Sequence, residues 1–164
     1  MKTITNQKFW VLLCVLFFAI GSWAQIITVT GNWIQIIDSS NLQGPAGSDL
    51  NPSYESAIDE IYIDLEELPS DWEVDVKKFD ENWDPNLNLY IQKISDGTAG
   101  TPLEGGEGYQ LVTDSDQFFF EPGSGGSDLA INGIYIQLKV DGVSVQIPPD
   151  IYITKVYYTI IANN

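Results

Sequence analysis

Ile61-Tyr62-Ile63-Asp64-Leu65-Glu66, a break at Pro69-Ser70, and then Trp72-Glu73-Val74-Asp75-Val76-Lys77 decide the fold. Apolar residues alternate with polar and charged ones in both halves, the period of a strand with one face buried and the other in water. Residues 59–68 are also rich in Glu and Leu, which favour helix by propensity. A helix would scatter the apolar residues around its axis, whereas a strand lines Ile61, Ile63 and Leu65 along one side. Two strands are therefore expected here.

The same period recurs outward from this stretch. Leu87, Leu89 and Ile91 alternate with Asn88, Tyr90 and Gln92, and Ile134, Ile136, Leu138 and Val140 alternate with Tyr135, Gln137 and Lys139. Asp141-Gly142 predicts a tight hairpin returning Val143, Val145 and Ile147, because both turn positions accept positive φ. Pro148-Pro149-Asp150 then leads into a last strand, Ile151 to Ile161, and shorter candidates lie at Tyr109 to Thr113 and Gln117 to Phe120. Near the start, Ile26 to Thr30, Gly31-Asn32 and Trp33 to Ile37 read as one strand with a glycine bulge or as two with a tight turn. Loops are expected at 38–56, at the acidic run 80–86, at 96–108 and at 122–127. The expectation is an all-β chain: a single antiparallel β-sandwich over 25–164, jelly-roll or immunoglobulin-like, with eight or nine strands.

Residues 1–24 read as a secretory signal peptide. Lys2 and Lys8 precede an apolar run from Phe9 to Ile20, and Ser22 and Ala24 offer small side chains before a cut at Gln25. The run is shorter than the roughly 20 residues that cross a bilayer as a helix, so a retained anchor is disfavoured. Cys14 follows Leu13 inside the run, which does not suit lipidation. The reading places the protein outside the cell or on its surface, with the periplasm as the other destination, and without membrane insertion after cleavage.

Cleavage removes the sole cysteine and two of the seven lysines and leaves all 23 acids; the chain has no histidine and no arginine. So acidic a surface repels nucleic acid and anionic lipid, both of which need clustered cations. Without cysteine there are no disulfides or thiolate sites, and without histidine as base no Ser-His or Cys-His nucleophile is available. Paired carboxylates are the remaining acid-base device. Glu60, Asp64, Glu73 and Asp75 stand on what read as solvent faces, so no catalytic residues are assigned and the chain is read as no enzyme.

Two binding features stand out. Asp80, Asn82 and Asp84 space oxygen ligands like the start of an EF-hand loop. Pro85 replaces the turn glycine and Ile91 the bidentate glutamate, so the choice is between a calcium site of another kind and a plain asparagine-capped turn. Asp114 and Asp116 form a second, weaker pair. Among the aromatics, Trp33, Trp72 and Trp83 with Tyr54, Tyr62, Tyr90 and Tyr109 are candidates for stacking on sugars. Trp72 has core parity, and Trp83, in the acidic loop, is the candidate ligand contact.

The closing stretch, Ile147-Pro-Pro-Asp-Ile-Tyr-Ile-Thr-Lys-Val-Tyr-Tyr-Thr-Ile-Ile161, resembles the last strand of secreted bacterial fimbrial and spore-coat-type subunits, and Gln25 to Thr30 resembles the N-terminal strand such subunits lend to a neighbour. The resemblance implies a structural subunit of a filament, matrix or coat that self-associates by β-strand addition. Ile26, Ile27, Thr28, Val29 and Thr30 would be the assembly strand, either donated or paired within their own sheet. The alternative is a monomeric carbohydrate-binding or adhesive module that contacts polysaccharide through Trp83, stabilised by calcium.

Overall fold

A computed structural model describes residues 24–163. The signal peptide expected over 1–24 therefore lies outside the described residues except for Ala24. Ten strands form two antiparallel sheets: β1 (Ile26–Thr30), β2 (Ser53–Glu55), β3 (Ile61–Glu66), β4 (Trp72–Asn82), β5 (Asn88–Lys93), β6 (Leu103–Glu104), β7 (Gln110–Leu111), β8 (Gln117–Pro122), β9 (Ala130–Asp141) and β10 (Ile153–Ala162). The larger sheet has the order β1-β3-β9-β5-β7, with β2 beside the second half of β9; the smaller has the order β10-β4-β8-β6. The sandwich is as expected, and the strand count exceeds the expected eight or nine through short pairings such as β2, β6 and β7.

From β4 onward each strand lies in the opposite sheet from the one before it. An immunoglobulin-like sandwich keeps several consecutive strands side by side in one sheet, so the path fits the jelly-roll alternative. The two inner faces meet over Ile61, Ile63 and Leu65 of β3, Leu89 and Ile91 of β5, and Ile134 and Ile136 of β9. Opposite them lie Trp72, Val74 and Val76 of β4, with Phe119 and Phe120 of β8. The residues that set the period-two pattern are the ones that fill the core.

Three ladders carry a register shift, and two of these adjust that pattern. Ile63 pairs with Ile134 and Leu65 with Ile131, so β9 spends two residues, Asn132 and Gly133, against Asp64 alone. Gly133 takes φ +71, and its N–H donates to the Asp64 carboxylate at 2.7 Å. The extra residue lets Ile131 and Ile134, three apart, both point inward. In β8, Val74 pairs with Phe120 and Asp75 with Phe118, which leaves Phe119 between them and puts two consecutive phenylalanines into the core.

Three sequence expectations are corrected. The Asp141-Gly142 hairpin does not form, and 143–147 is not a strand. Over Lys139–Asp141, β9 is already hydrogen-bonded to β2 on one side and β5 on the other, so no edge remains for a returning strand. Gly142 serves a close approach instead: at φ +92, a Cβ there would sit 2.2 Å from the Asn86 carbonyl oxygen. Trp33 to Ile37 is likewise not a strand. Thr30 pairs with Tyr62, and β3 begins only one residue beyond, so the ladder runs out of partner. Conversely, Asp80 and Asn82 belong to β4 and not to a loop, because β10 supplies pairing along the whole of β4 from Trp72 to Asn82.

The bulge in β8 sets an expectation for mutagenesis. Phe119 is 0% and Phe118 43% exposed. Phe119→Ala should cost about 3–5 kcal/mol, whereas Phe118→Ala should cost less than about 1 kcal/mol, measured by urea unfolding. Equal costs would contradict this register.

Candidate functional site

Beyond Val76, β4 loses its partner in β8, and the N–H of Lys78 donates instead to the Thr113 carbonyl at 2.7 Å. Past that point β4 is paired on the β10 side alone, and the sheets part. A groove of about 370 Å³ opens there, with Leu87, Leu89 and Val112 at its base and Trp83, Lys78, Asp80, Asn88, Thr113 and Asp114 around them. A second depression of about 590 Å³ lies against Phe79 and Tyr157 and shares Lys78, Asp80 and Asp114 with the first.

The structure brings Asp80 and Trp83 to one groove. Trp83 is half-buried and packs against both the main core and a small second cluster of Leu87, Val140 and Val143. Its indole N–H donates to the Leu87 carbonyl at 2.9 Å, and the Lys78 ammonium lies 5.7 Å from the ring centroid. It is a wall of the groove and a structural bridge, which corrects the expectation of an exposed stacking platform.

The three metal candidates have separate occupations. Asp80 pairs with Lys78 and accepts from the Thr154 hydroxyl at 2.7 Å. Asn82 donates its amide to the Ile151 carbonyl at 2.7 Å. Asp84 accepts from the backbone N–H and side-chain amide of Asn86 at 2.9 and 2.8 Å, an Asx turn. Among the described residues, no group of three or more Asp and Glu side chains is gathered as metal ligands would be. Of the second pair, Asp116 is bound to Lys77 at 2.9 Å.

The carboxylates considered for acid-base work are also placed. Asp64 holds the β9 bulge, and Glu60 accepts from the Ala57 N–H at 3.3 Å. Asp75 is raised above the usual carboxylate range, first by burial and then by the neighbouring charges of Glu73 and Asp116. Asp75 lines neither of the two depressions.

Ile26 to Thr30 pair within their own chain, in register with Tyr62–Glu66 of β3. Of the two arrangements open to this strand, the structure therefore shows the self-paired one. β1 ends the larger sheet and β10 ends the smaller, and the two approach one another on the same flank of the sandwich. Among the described residues neither has a partner on its outer side.

Sequence reasoning missed Lys78. It continues the inward series Trp72, Val74, Val76, and a cation at a core-facing position was a legible signal of a polar opening. A further cation, Lys139, lies on the outer face of the larger sheet between the rings of Tyr90 and Tyr109, 4.6 and 4.7 Å from their centroids, and pairs with Asp141 at 3.0 Å. Beside it the Tyr109 hydroxyl is enclosed without a hydrogen-bond partner. Burial, followed by the nearby Glu55 carboxylate, pushes Tyr109 up to about 12, and burial also raises Tyr158.

No protein-family model, no curated protein and no solved structure matches the chain.

Two measurements follow from this geometry. Trp83→Ala should lower stability by about 2 kcal/mol, because it removes a half-buried side chain joining two clusters; an unchanged melting temperature would show the ring to be free of the core. In alkali the folded state holds the protons of Tyr109 and Tyr158 after an unfolded chain has lost them. Stability should therefore be intact below pH 10 and decline as pH rises from 10 toward 12. Phenolate absorbance of the folded protein should show both tyrosines still protonated at about pH 11, and full ionisation near pH 10 without unfolding would refute it.

Proposed function

We propose that the protein is a non-enzymatic structural subunit of an extracellular or cell-surface filament, matrix or coat, whose copies join by β-strand addition. The observation that carries this reading is the flank on which β1 and β10 end their sheets. β10 offers ten residues of edge, Ile153–Ala162, with no proline and with Lys155 as its one charged residue. Soluble monomers usually blunt such an edge with several charges or a proline, and the irregularity in the β4–β10 ladder, between Ile153 and Thr154, lies at its first residue. The absence of histidine, and of cysteine after Cys14, together with the structural occupations of Asp64, Glu60 and Asp80, supports a role without catalysis.

A second reading, a monomeric module that binds polysaccharide, draws on the groove beside Trp83. Asn88, Thr113 and Asp114 stand around an apolar base there, the mixture that suits a sugar ring and its hydroxyls. On that reading, calcium would act at Asp80, Asn82 and Asp84 to stabilise the end of β4 and the turn after it, and a chelator would lower the melting temperature.

Assembly has to overcome repulsion between strongly acidic copies, so it should strengthen with salt. Protein beginning at Gln25 should elute as a growing distribution of large species as sodium chloride rises from about 20 to 500 mM, with ordered particles in negative-stain micrographs. A sharp monomer peak throughout that range would sink the subunit reading. Retention on polysaccharide by that monomer, lost in Thr113→Ala or Asp114→Ala without a change in melting, would favour the second.

A further inference from the structure

We infer that the strand joining copies is Trp33–Ile37, not Ile26–Thr30, and that its acceptor is the outer edge of β10 in a second copy. The inference rests on the assembly reading above and names its two elements.

The first argument is a mismatch between sequence and structure. Trp33-Ile34-Gln35-Ile36-Ile37 has the composition of a strand, yet it has none of a strand's pairing. Its Ile34 and Ile36 are each 75% exposed. Among the described residues no backbone hydrogen bond joins this segment to another strand; the bond within it runs from the Gln35 amide to the Ile36 carbonyl. Trp33 is half-buried and packs against both hydrophobic clusters, so the segment is tethered at its base while Ile34 to Ile37 stay at the surface. Ile26 to Thr30, by contrast, already have a partner in β3.

The second argument is charge. Residues 24–37 contain no charged side chain in a chain with 23 acids. β10 holds no acid, and its one charged residue, Lys155, is already paired with Glu81. Contact between the neutral segment and this edge is therefore the approach least opposed by repulsion between copies. The five residues would span roughly 17 Å, about half the length of β10.

The third argument is symmetry. Segment against edge is a contact between two different surfaces, and repetition of such a contact builds an open chain or a ring. Segment against segment, or edge against edge, would stop at a dimer.

Protein beginning at Gln25 has no native cysteine, which makes disulfide trapping specific. Ile36→Cys protein would be mixed in equal amounts with each of Ile153→Cys, Lys155→Cys, Tyr157→Cys and Thr159→Cys and mildly oxidised. At least one mixture should give a mixed dimer several-fold above either homodimer, since bridging requires Cα atoms within about 7 Å. Homodimers of Ile36→Cys, homodimers of a β10 variant, or no cross-link would each overturn the inference. Independently, Ile34→Asp/Ile36→Asp should abolish large assemblies with the melting temperature unchanged, because both side chains are already in water. Assemblies that persist in that variant would refute this segment while leaving the subunit reading in place. A wild-type protein that forms no assemblies would refute both.

Discussion

Everything in this fold leans on β9. It is hydrogen-bonded along both sides, to β3 and then β2 on one and to β5 on the other, and its inward isoleucines occupy the middle of the core. Because both edges are used, the chain leaving Asp141 cannot turn back and must cross to the other sheet, where β10 finds its place along β4. The edges of the two sheets fall instead to β1 and β7 and to β10 and β6. The accessible part of the molecule is thus determined by the completeness of its centre.

Charge acts as the second constraint. Each of the five lysines among the described residues is in an ion pair: Lys77 with Asp116, Lys78 with Asp80, Lys93 with Asp96, Lys139 with Asp141 and Lys155 with Glu81. Most of the 23 acids therefore have no cationic partner among them. Lys93 shows how these few cations are used: it follows Leu89 and Ile91 at an inward position, its side chain is 4% exposed, and Asp96 in the following turn neutralises it. Lys78 plays the corresponding part at the opposite end of the sandwich. Exposed pairs of this kind contribute little to stability, about 0–1 kcal/mol, while the enclosed Lys93 depends on its partner much more strongly.

What the sequence made legible was local. Alternation over Ile61–Leu65 and Trp72–Val76 identified core faces correctly, because a period of two needs no knowledge of neighbours. What it hid was set by partners far away in the chain. Asp141-Gly142 has good hairpin chemistry, and only the occupancy of β9 by β2 and β5 prevents the hairpin. Asp80 and Asn82 look like loop residues until β10 arrives beside them. Trp83 sits among acids in the sequence but between two hydrophobic clusters in space, so its exposure was misjudged. The groove it borders was unreadable because it exists where β8 ends early, a matter of unequal strand lengths.

The alternation of strands between sheets also governs how the molecule comes to exist. From β3 onward no strand pairs with its immediate neighbour in the chain, so each ladder waits for a loop to close across the sandwich. Chains dominated by such non-local pairings fold slowly, on the order of milliseconds to seconds. The topology imposes that delay through chain connectivity alone. The central strand that completes the larger sheet is also among the last to emerge, so the N-terminal strands remain without their final partner until nearly the whole chain has been delivered.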